Sequence, residues 1–120
     1  MNETEFTEKS AIEKLVALMV MLRDRKFGCP WDLEQSIESL VPHTLEEVYE
    51  VVDAIDKNDM AELKDELGDL LFQVVFYAQI AREEGLFTFD DVADAITAKL
   101  IRRHPHIFPD ATIAGKLCPR

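Results

Sequence analysis

Residues 60–85 read MAELKDELGDLLFQVVFYAQIAREEG. Their spacing predicts a helix from about Met60 to Glu84, stopped by Gly85. The character of that helix changes along its length. Up to Lys64 it reads as a surface helix. From Leu67 to Ala81 it is apolar nearly all round, and Phe72, Val74, Val75, Phe76 and Ile80 point in every direction. A helix apolar on every side is buried on every side. A chain of 120 residues can hardly surround it, so the stretch predicts a partner subunit. One polar line interrupts it. Glu62, Glu66, Asp69 and Gln73 recur at steps of four, three and four, which puts them on one face.

Working outward, residues 41–57 read VPHTLEEVYEVVDAIDK. A second long helix is expected from Leu45 to Lys57, with Pro42 closing a short helix or turn over Trp31–Leu40. Thr44 reads as its N-cap, and Glu47 as the acid of a capping box. Leu45, Val48, Val51, Val52 and Ile55 form its apolar stripe, with Glu46, Glu47, Glu50 and Asp53 opposite. Upstream, Ile12, Leu15, Val16, Met19 and Leu22 have helical spacing over Ser10–Arg23, and Gly28 and Pro30 break it. Residues 1–10 read as a frayed lead-in. Downstream, Thr88 caps a fourth helix with Asp91 as acidic partner, Val92, Ile96 and Leu100 facing inward and Pro105 stopping it. Residues 109–120 lack periodicity and read as a loose tail. No alternating β pattern occurs. The fold class is all-α, a bundle of four to five helices completed by oligomerisation, in a single domain over 1–120.

Composition narrows the function. Lys and Arg total 13 against 24 Asp and Glu, a net charge of −11. That argues against nucleic acid as partner. No apolar run has the length of a membrane span, and MNETEFTEKS is no signal peptide, so no membrane role is expected. Cys29 and Cys118 are too few for a disulfide scaffold and fit no zinc pattern. The expected setting is the reducing cytoplasm.

The carboxylates carry the chemistry. Glu66 and Asp69 sit where the third helix becomes buried, with no cation placed beside them on that helix. Burying unpaired carboxylates costs several kcal/mol unless they are paired or bind a metal. Pairing the two long helices antiparallel brings Glu47, Glu50, Glu66 and Asp69 together. Four converging acids repel, and a hard dication relieves the repulsion. All-oxygen ligands favour Mg²⁺, with Mn²⁺ as a substitute, over zinc. A solvated acidic face explains either pair alone. It explains both together poorly, because the second lies on an almost wholly apolar helix. A di-iron bundle needs Glu-x-x-His, and no such motif occurs here.

The run from Glu46 to Asp69 has the form EExxE, fifteen residues, then ExxD. It resembles the signature of the MazG family of nucleoside triphosphate pyrophosphohydrolases. The likeness extends from about Leu15 to Phe108 and includes LRDRKFGCPWDLEQS, VPHTLEEVYEVVDAI, ELKDELGDLLFQVVFYAQIAREEGLFTFDDV and KLIRRHPHIF. It is nearest to the first of two tandem modules in longer MazG proteins. The resemblance implies an all-α fold, a homodimer or homotetramer, and Mg²⁺-dependent cleavage of a nucleoside triphosphate to monophosphate and pyrophosphate. Clearance of non-standard nucleotides is one role it suggests. Carried over by position, Glu47, Glu50, Glu66 and Asp69 would be the metal ligands, with Glu46 and Glu47 as catalytic acids. Glu46 would be a base for the attacking water. Trp31 is either a packing anchor or a stacking surface for the nucleobase, a role aromatic residues have in related members. Lys99, Arg102 and Arg103 either favour a helix C-terminus or clamp the triphosphate. The alternative to the enzyme is a non-catalytic helical oligomerisation module that keeps the metal site.

Overall fold

The nearly all-apolar stretch forms a helix over Met60–Glu83, and Gly85 beyond it takes a positive φ of 73° that suits glycine. The computed structural model describes residues 2–109. In chain order the helices are α1 (Glu3–Thr7), α2 (Ala11–Leu22), α3 (Pro30–Leu33), α4 (Ile37–Asp56), α5 (Met60–Glu83) and α6 (Phe89–Arg103). No strand occurs among the described residues, and none of their helices is long and apolar enough to cross a membrane. The expected tail over 110–120, with Cys118, lies outside the described residues. Cys29 is a free thiol.

Two compact units divide the chain, residues 1–86 and residues 87–120. In the first, α4 and α5 form the principal helix pair and α2 packs on α5. The pair is antiparallel. The turn over residues 57–59 joins the helices, and Thr44 near the start of α4 reaches Gln73 and Tyr77 well along α5. The core comprises Met19, Leu40, Ala54, Val75, Phe76, Ala78, Ile80 and Ala81. The second unit contains α6, capped as expected by Thr88 and Asp91. Ile96 and Leu100 are nearly half exposed rather than turned inward.

Three expectations about local structure need correction. First, Glu3–Thr7 is helical, with Asn2 as its cap, where only a lead-in was expected. Second, α4 starts at Ile37, and Pro42 lies inside it. Ser36 caps the helix, its side chain accepting from the Ser39 N–H while the Ser39 hydroxyl accepts from the Ser36 N–H. Thr44 is therefore not a cap. Its hydroxyl reaches the Leu40 carbonyl one turn back, and Glu47 belongs to no capping box. Proline removes one donor and crowds one carbonyl, that of Glu38, near the helix start. Third, α4 presents the Leu40, Thr44, Glu47 and Ala54 side to α5. The stripe of Leu45, Val48, Val52 and Ile55 faces outward, and Leu45 and Ile55 are more than half exposed.

Candidate metal centre

The antiparallel register of α4 and α5 brings acids together within about three helical turns of the turn that joins the helices. Oxygens of Glu47, Glu66 and Asp69 lie within 4.8 Å of one another, and so do those of Glu50, Glu62 and Glu66. Glu66 belongs to both groups. Each of the four acids read from the sequence belongs to one group or the other, and Glu62 belongs to the second. Sequence reading had Glu62 on the correct face but outside the signature, so it was not placed in the site. The spacing of four from Glu66 was the available signal.

No cation neutralises this group. Among the described residues the ion pairs are Arg23–Glu83 and Lys57–Asp53. Lys57 lies in the field of Glu62 and Glu50, but its contact is the 2.7 Å one to Asp53. The acids respond by holding protons. Loss of solvation, then a hydrogen bond shared with Glu47, pushes the Glu66 carboxyl up to about 7. Burial is also the first cause that raises Glu47, with Asp69, Glu50 and Glu46 adding repulsion. Glu47 Oε1 is buried without a hydrogen-bond partner. A buried acceptor left unpaired is costly, and a metal ion is one way to satisfy it. The set is all oxygen and strongly anionic, so it suits a hard dication. These residues fit a divalent metal ion, and the cluster could hold one.

Other predicted residues fall as follows. Glu46 is exposed and belongs to neither oxygen group. Trp31 is about half exposed, and its ring makes T-shaped contacts with His43 at 5.4 Å and with buried Phe76 at 6.4 Å. His43 sits one turn before Glu47 on α4, a rise of about 6 Å. Nothing in the sequence singled out His43. Lys99, Arg102 and Arg103 lie towards the end of α6 in the second unit, with Arg102 and Arg103 in its last turn. Thr44, expected as a cap, has a different role. Its hydroxyl lies 3.0 Å from Gln73 Oε1 and 2.6 Å from the Tyr77 hydroxyl, a polar tie between α4 and α5 one turn from Glu47.

The chain is similar to several known proteins. The family profile described as MazG nucleotide pyrophosphohydrolase domain matches residues 35–108. The chain is 57% identical over 101 residues to a nucleoside triphosphate pyrophosphohydrolase of Escherichia coli (strain K12), covering 84% of this chain and 38% of that protein. It is 54% identical over 99 residues to the nucleoside triphosphate pyrophosphohydrolase/pyrophosphatase MazG of Thermotoga maritima, covering 82% of this chain and 38% of that one. The chain thus spans well under half the length of these curated relatives. The crystal structure of a mazG-related protein from Thermotoga maritima superposes with a TM-score of 0.68 at 30% identity, covering 83% of this chain and 85% of that chain.

Proposed function

The chain belongs to the MazG nucleotide pyrophosphohydrolase domain family, and from that premise we propose that it hydrolyses nucleoside triphosphates to nucleoside monophosphate and pyrophosphate. The observation that carries the reading is the acidic cluster around Glu66, with the unpartnered oxygen of Glu47 inside it. The proposed ion is Mg²⁺, held by Glu47, Glu50, Glu66 and Asp69, with Mn²⁺ as a substitute. When bound, such an ion supplies Lewis-acid stabilisation of phosphate charge and lowers the pKa of a water.

The protein's own groups do the rest. Glu47 and Glu66, both held above the ordinary carboxylate range, would give up their protons on taking up such an ion. Exposed Glu46 accepts the proton of the attacking water as it adds to the α-phosphorus, and pyrophosphate departs. No covalent intermediate is required. Trp31 offers its half-exposed indole to the nucleobase. Lys99, Arg102 and Arg103 are the cations this reading assigns to the triphosphate, on charge alone. The working form is a homodimer or homotetramer in the cytoplasm. Clearance of non-standard nucleotides is the proposed role.

Glu66→Gln keeps size and removes charge, so activity should fall at least about 10²-fold. Its circular dichroism should match the wild type, because the neutral amide resembles the protonated carboxyl that Glu66 favours without metal. Asp65→Asn, an exposed neighbour off the cluster, is the control and should keep its activity. Pyrophosphate release from a panel of standard and modified triphosphates with Mg²⁺ measures both. Equal activity in the two variants, or no hydrolysis by the wild type with any base, would leave the oligomerisation module as the better reading.

A further inference from the structure

Arg23 is the most heavily engaged side chain of the first unit, and the mechanism above makes no use of it. It caps the end of α2, and its side chain is only 9% exposed. Nε and Nη2 donate to the two carboxylate oxygens of Glu83, at 3.0 and 2.5 Å. Nη1 donates to the carbonyls of Asp32 and Gln35, at 2.6 and 3.1 Å. The guanidinium carbon lies 5.8 Å from the centroid of Phe76. These contacts converge on the segment that carries Trp31. Gln35 Nε2 donates to the Trp31 carbonyl at 3.0 Å, and the indole meets the same Phe76. The turn leading into the segment is tight. The Cys29 N–H donates to the Leu22 carbonyl at 2.9 Å, and a Cβ on Gly28 would come within 2.4 Å of the Leu22 and Asp24 carbonyl oxygens.

We propose that Arg23 is a positioning residue for Trp31: clamped to Glu83 on α5, it fixes α3 so that the indole stands as a rigid platform for the substrate's nucleobase. This rests on the reading of Trp31 as the base-stacking surface. The planar fork is what the geometry uses. One group bridges a carboxylate and two carbonyls, and a lysine ammonium, with donors radiating from one point, cannot span all three. Phe76 then has two roles, lying under the guanidinium and meeting the indole in a T-shaped contact. The half-exposed indole is thereby held from below while part of it remains open.

Trp31 is the only tryptophan in the chain, so tryptophan emission reports it alone. In Arg23→Lys, acrylamide quenching of that emission should rise about twofold while the far-ultraviolet circular dichroism is unchanged. KM for purine and pyrimidine triphosphates should rise about tenfold, with kcat within about twofold of wild type. Inhibition by inorganic triphosphate, which has no base to stack, should be unaltered, whereas general damage to the fold would weaken it too. Glu83→Gln loosens the same clamp without touching the arginine. It should shift both readouts the same way by less, and it carries the test if Arg23→Lys does not fold. Unchanged quenching or unchanged KM in Arg23→Lys overturns the role of Arg23, provided that Trp31→Ala itself raises KM. An unchanged KM in Trp31→Ala overturns the platform, and the inference with it. The behaviour of Trp31→Ala tells the two failures apart.

Discussion

Glu66 holds a proton that an ordinary glutamate would lose, and this gives the metal-free protein a definite pH dependence. Its carboxyl is pushed up to about 7, against 4.5 for an unperturbed glutamate. Between those values the folded state binds more protons than the unfolded state, so stability falls as pH rises through the window. Glu47, also raised, acts in the same direction. Glu13, Asp24 and Glu83 are lowered by hydrogen bonds from Ser10, Phe27 and Arg23, so their contributions are lost only as pH falls below the ordinary carboxylate range. The windows are separate. In chelator, the melting temperature should decline from pH 5 to pH 7.5, and Glu66→Gln should flatten the decline. Millimolar Mg²⁺ should reverse it at the upper end, because a dication replaces the proton. A wild-type melting temperature indifferent to both pH and Mg²⁺ would mean that these acids are solvated and independent.

At the scale of the element, α4 shows how far the sequence could be read. Its length and polarity were legible, and so was the spacing that aligns Glu47 and Glu50 with Glu66 and Asp69. Its start was not, because Pro42 and Thr44 both carry strong local signals for a boundary. The competing signal was Ser36, three residues before Ser39, and tertiary contact decided between them. Leu40 must be helical to enter the core fully buried. The facing of α4 was illegible for a different reason. Hydrophobic spacing identifies an apolar face without saying what covers it, and here the acids face the partner helix while the valines face out. The proline therefore remains as an internal cost. Pro42→Ala restores an N–H for the Glu38 carbonyl and relieves the ring's contact with it, and the site is exposed. The variant should be more stable by about 1–3 kcal/mol, read as a melting temperature raised by several degrees. A fall would show that a bend at Pro42 is part of how α4 meets α5.

For the whole molecule, the outward stripe of α4 is the feature that needs a partner. Leu45, Val48, Val52 and Ile55 are 43–57% exposed, and on α5 Leu67, Leu71 and Val74 remain 37–48% exposed. Single exposed apolar residues are ordinary, but two helices presenting such rows in one small unit are not. Burying them against a second copy would complete the core that the nearly all-apolar α5 demands. Light scattering at micromolar concentration should give a dimer or larger species. Val52→Glu combined with Ile55→Lys, placed on the stripe and away from the acidic cluster, should shift it towards monomer with helicity retained. Charge sharpens the test. Each chain carries a net −11, so association brings like charges together, and salt that screens them should favour assembly while apolar burial is little affected. The dimer should therefore tighten, or at least persist, as ionic strength rises. An assembly that loosens with added salt would be held by charge pairing across the interface, and the α4 stripe would then not be the surface that holds it.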